Sequence, residues 1–137
     1  MTVERSVRYI SDKEVAEIDR WIELGMKIMA HYGVDQSTSI YNNLDAVYNF
    51  WANEASPAFT DEQVLIGLGS IFGNRLSQKH SAPWQFVEDE YGSDYALTIK
   101  GHEIYPIAFV AKRIGTLSTS EPESDFFAGM NAVIDSW

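Results

Sequence analysis

The chain has 137 residues, with 20 acidic against 10 basic side chains, a formal net charge of -10 and a sequence pI near 4.6; such a field repels phosphate backbones and anionic lipid surfaces and favours a basic protein as partner. A hydrophobic share of 45% and an aromatic share of 13% exclude a disordered chain and predict one self-folding domain, residues 1–137. Cysteine is absent, which excludes disulfides, thiolate metal sites and cysteine nucleophiles.

The opening residues carry no apolar signal-peptide core, and no apolar run approaches the ~20 residues of a membrane span, so a cytoplasmic location is expected. Val7, Tyr9 and Ile10 form a short leader able to pack on the core. Ser11 and Glu14 then stand in a capping-box relation, and Val15, Ile18, Ile22, Met26 and Met29 recur at helical spacing up to a stop at Gly33. This predicts a long amphipathic helix from Asp12 to about Tyr32, with Glu17, Arg20, Glu23 and Lys27 on a solvated face.

A second helix is expected over Tyr41 to Glu54 from the spacing of Ile40, Leu44, Val47, Tyr48 and Trp51, closed by Ala55-Ser56-Pro57. Thr60 and Gln63 form another capping box before Val64, Leu68, Ile71, Phe72 and Leu76, predicting a third helix from Asp61 to roughly Gln78. Its Gly67, Gly69 and Gly73 superficially match a dinucleotide-binding glycine pattern. That chemistry needs glycines in a strand-to-helix turn, where backbone amides meet pyrophosphate; inside a helix they instead let another element approach closely.

From Trp84 the period changes. Trp84, Phe86 and Glu88 alternate with Gln85, Val87 and Asp89, and after an acidic turn containing Gly92, Tyr95, Leu97 and Ile99 line one face of a second strand. The turn, Glu88 to Asp94, is longer than a two-residue hairpin loop. Lys100-Gly101 marks another turn before a short third strand, Glu103 to Tyr105. Pro106 suits the first position of a helix with Ile107, Val110, Ala111 and Ile114 inward; the alternative is an edge strand running on through Ile107. In the last helix, Ser120 and Glu123 form a capping box, and Phe126, Met130, Val133, Ile134 and Trp137 share a face. Order through to Trp137 follows if that helix docks.

The expected fold is therefore α+β: N-terminal helices (about 11–78), a small antiparallel sheet of about three strands (about 84–105) and C-terminal helices (about 106–137). No set of residues spells out a reaction. His31, His80 and His102 are widely separated and read as surface or capping residues; no catalytic residue, metal ligand or cofactor is expected. The acid-rich turn reads as a solvated hairpin, as a partner-binding patch or, last, as a metal or catalytic site, and is too short for a calcium loop. Lys112 and Arg113 would pair with that turn or anchor an anion.

The residues from Trp84 through the Asp-Glu-Tyr-Gly turn, Ile104-Tyr-Pro-Ile and Lys112-Arg113-Ile resemble the bacterial family called domain of unknown function 3806, over about Phe59 to Phe127. That resemblance implies a fold class and no activity. Small acidic bacterial proteins of this build include immunity proteins that block a toxin, an analogy of size and charge alone. The leading expectation is a non-catalytic immunity protein meeting a basic toxin domain through Trp84, Glu88, Asp89, Glu90, Tyr91 and Asp94. The alternatives are a module holding a small ligand between helix and sheet, or a hydrolase built on Glu88, Asp89 or Glu90.

Overall fold

A computed structural model describes residues 4–34, 39–115 and 126–137. In chain order the elements are β1 (Ser6–Tyr9), α1 (Asp12–Tyr32), α2 (Ile40–Ala52), α3 (Asp61–His80), β2 (Gln85–Asp89), β3 (Gly92–Ile99), β4 (His102–Ile104), α4 (Pro106–Gly115) and α5 (Phe126–Asp135). The α+β class and the helices at both ends are as expected, and both capping boxes, Ser11 with Glu14 and Thr60 with Gln63, are formed. The Ser120–Glu123 cap lies outside the described residues.

The sheet has four antiparallel strands in the order β1-β2-β3-β4. The extra strand is the leader: Val7 pairs with Val87 and Tyr9 with Gln85, and all four of its residues are exposed. It is held by its backbone at a sheet edge, so its side chains carry no buried alternation that would announce a strand. A second correction concerns the acidic turn. The strands zip until Asp89 faces Gly92, leaving only Glu90 and Tyr91 between them, because the Asp89 carboxylate accepts the Tyr91 N–H at 2.8 Å and closes the reversal locally. The positive backbone angles of Lys100 and Gly101 make the next turn equally short, which starts the last strand at His102.

At the centre lies α3. Val64, Leu68, Phe72 and Leu76 are fully buried, and each of its three glycines admits a different neighbour. Gly67 meets Gly25 of α1, Gly69 meets Ile107 at the start of α4, and Gly73 meets the ring of Trp84 and Pro106. The helix at Pro106 is therefore the one seen, and it packs against the small-residue face of α3.

The buried face of α1 is centred on Ile18, Gly25, Ile28 and Met29, whereas Val15 and Met26 are exposed. Contact through Gly25 rotates the helix away from the stripe that hydropathy alone selects. In α5 the deeply buried residues are Phe127 and Ile134, with Val133 exposed. Asp45, buried in α2, anchors that helix: its two carboxylate oxygens accept the Phe127 and Ala128 amides at 2.6 and 3.0 Å. At the other end the Lys100 ammonium donates to the Trp137 carbonyl at 3.0 Å, and Trp137 packs on His102 with ring centroids 4.1 Å apart.

Candidate functional site

The β2–β3 hairpin projects its tip away from the core. Tyr91 is 90% exposed there, beside exposed Glu90 and, one strand residue back, exposed Glu88. Asp89 is held by its bond to the Tyr91 amide. Asp94, further along β3, is half-buried; desolvation raises its pKa, opposed by the hydrogen bond it accepts from the Tyr95 amide. Five of the six residues expected to meet a partner thus share one hairpin. Trp84 does not join them. It is 7% exposed, seated against Gly73 and edge-on to Tyr95 at 6.4 Å, so its ring belongs to the core.

Two clefts flank the hairpin, and Ser93 and Asp94 border both. One, of about 300 Å³, runs from Val87 and Tyr91 to Tyr105 and Ala108. The other, of about 380 Å³, lies between α1 and the sheet, and its walls are Glu14, Glu17, Trp21, Phe86 and Tyr95. Tyr95 organises this second cleft: its hydroxyl donates to Glu17 at 2.9 Å, and Trp21 and Phe86 meet its ring edge-on at 5.5 and 5.3 Å.

Glu17 therefore belongs to a polar cleft and not to the solvated face expected for it. Across the same wall the Arg8 guanidinium donates to both oxygens of Glu14 at 2.6 and 2.8 Å and lies 4.7 Å from the centre of the Phe86 ring. That fork, together with the Ser11 amide, holds the Glu14 pKa down to about 2. Arg8, Glu14, Glu17, Trp21 and Phe86 are the site residues that sequence reasoning missed. The one signal for them was Glu14 and Glu17, three residues apart on a helix whose leader carries an arginine.

A third concavity, about 380 Å³, opens between β4, α4 and α5, lined mainly by Ile104, Ala108, Phe109, Met130 and Trp137 with Lys112 at its edge. Arg113 is buried instead, its guanidinium 5.7 Å from the Phe126 ring. His31 lies in the last turn of α1, His80 ends α3 and His102 opens β4. Among the described residues, no group of three or more histidines and carboxylates is placed to hold a metal ion, and no helix is long and apolar enough to cross a membrane.

The model of a family described as Domain of unknown function (DUF3806) matches residues 46–121, more than half of the chain. The chain belongs to that family. The DUF3806 match begins within α2 and takes in the hairpin, while α1 and Arg8 precede it. A 1.50 Å crystal structure from Bacteroides thetaiotaomicron VPI-5482 is similar in fold, with a TM-score of 0.68 at 11% identity. The likeness covers 100% of this chain and 50% of that one, so the chain spans half the length of its structural neighbour. No curated protein matches.

Proposed function

We propose that this DUF3806 protein is a non-catalytic acidic binding protein that captures a basic protein through its β2–β3 hairpin, acting as a cytoplasmic immunity protein against a toxin domain. The observation that supports this reading is Tyr91, a large amphipathic ring held 90% exposed at the tip of a two-residue turn between carboxylates. Tyrosine offers contact area at small entropic cost, which is why it recurs among residues that dominate binding energy. The surrounding Glu88, Asp89, Glu90 and Asp94 add a negative field that speeds encounter with a cationic surface and disfavours acidic competitors. Among the described residues Asp45 is the carboxylate buried in a helix, and it has a structural use at the start of α5.

The test is co-expression with the products of adjacent genes. A stoichiometric complex with a basic product, together with relief of that product's toxicity, is the expected result; a neighbourhood whose products neither bind nor harm cells overturns it. A second reading, a module for a small ligand, is favoured by the mainly apolar groove at Phe109, Met130 and Trp137 with Lys112 beside it. It predicts thermal stabilisation by apolar carboxylates and none by basic proteins.

A further inference from the structure

We propose that the cleft between α1 and the β2–β3 hairpin is a receptor for an arginine side chain of the basic partner, with Arg8 as its resident stand-in. This rests on the binding reading above and names the group the partner presents. The structure already shows a guanidinium held by this wall. Arg8 forks onto Glu14 with both terminal nitrogens and lies over Phe86, the two contacts by which a guanidinium is distinguished from an ammonium.

The rest of the cleft wall adds further aromatic and carboxylate groups to the Glu14 and Phe86 that Arg8 engages. Trp21, Phe86 and Tyr95 present aromatic surface and Glu17 a carboxylate, with Asp94 at the border this cleft shares with its neighbour. Among the described residues no lysine or arginine forms an ion pair with Glu17 or Asp94. Glu17 is oriented by the Tyr95 hydroxyl, so its position is set before anything enters. The desolvation that raises the Asp94 pKa is relieved by a cation arriving there, because a neighbouring opposite charge favours the ionised carboxylate. Arginine fits better than lysine because its planar, weakly hydrated group stacks on rings and bridges carboxylates in one plane. Arg8 stands on an exposed edge strand, from which its side chain can swing away and yield Phe86 and Glu14 to the incoming group.

The probe is N-acetyl-arginine amide, with the lysine and norleucine analogues for comparison, titrated into the full chain while side-chain NMR signals of Trp21, Phe86 and Tyr95 are followed. Saturable shifts at those rings are expected with the arginine probe, at least about 10-fold weaker with lysine and absent with norleucine, a gap of about 1.4 kcal/mol. Glu17→Gln with Asp94→Asn should abolish the shifts, and Arg8→Met should tighten binding several-fold, each variant first shown to be folded by circular dichroism. Equal responses to arginine and norleucine, or shifts untouched by the double substitution, overturn the proposal. A wild-type protein that binds the arginine probe here yet finds no protein partner would sink the immunity reading alone. A partner bound equally well by wild type and the double variant would sink this inference alone.

Discussion

Gly25 and Gly67 meet backbone to backbone where α1 crosses α3: a Cβ on Gly25 would overlap the Gly67 carbonyl, and one on Gly67 would lie 3.0 Å from the Gly25 Cα. The two helices are in contact through atoms that cannot move aside. Gly25→Ala should therefore cost about 1–3 kcal/mol despite the better helix propensity of alanine, since overpacking a rigid contact outweighs that gain. Gly115, with open space around it, is the control, and Gly115→Ala should change stability by no more than about 0.5 kcal/mol. Urea denaturation midpoints decide between them, and equal midpoints would show the crossing to be compliant.

Asp45 ties α5 to α2 through two amide hydrogen bonds to a buried carboxylate. Its replacement by alanine leaves those donors without that acceptor at the positive end of a helix, at a cost of about 2–3 kcal/mol. Hydrogen exchange at Phe127 and Ala128 should accelerate in step with the loss of global stability. Unchanged exchange at both amides would disprove the role.

For Asp94 the sign of the pH effect runs opposite to that of Glu14. Its folded pKa is raised by desolvation, so its contribution to stability is full below the unfolded pKa and is lost as pH rises through the folded one. Asp94→Asn should therefore be more stable than wild type at neutral pH, with the advantage closing in acid. Glu14, depressed to about 2 by Arg8, contributes above its unfolded pKa, and that contribution is lost as pH falls toward about 2. Denaturation midpoints of Asp94→Asn and Glu14→Gln across pH 2 to 7 (about the carboxylate range) should diverge from wild type in opposite directions; a neutral or destabilised Asp94→Asn at pH 7 would refute the assignment.

Tyr91 makes the hairpin prediction. Because its ring is in solvent, Tyr91→Ala should alter stability by less than about 0.5 kcal/mol while weakening partner binding at least about 10-fold. The association rate should also fall as salt rises. Calorimetry with the co-expressed partner reads the first effect and stopped-flow mixing the second; undiminished affinity in Tyr91→Ala removes the hairpin from the interface.

The helices were legible because their starts are written in side chains that cap them, Ser11 with Glu14 and Thr60 with Gln63, and because α3 repeats apolar residues on a full face. The rest was hidden where backbone took over from side chains. Ser6–Tyr9 joins the sheet by backbone pairing with no buried side chain to announce it, and Gly25 turns α1 toward a contact centred on backbone atoms. Asp89 shortened a turn by accepting one N–H. In the candidate site, the hairpin acids were visible as a run, but Glu17 looked like any exposed helical carboxylate. Only the approach of Tyr95, far away in sequence, gives it a neighbour, and Trp84 was misplaced because alternation does not say which aromatic lies under a glycine.

The position of β1 has a consequence for synthesis on the ribosome. Residues 6–9 leave the exit tunnel before α1, α2 and α3, yet their backbone partners, residues 85–88, leave well after. β1 is thus denied its hydrogen bonds until β2 has emerged, and its pairing is a long-range closure of the kind that slows folding. During that interval Arg8 already has Glu14 close by in sequence but lacks Phe86, so the cationic arm is assembled only once β2 has emerged.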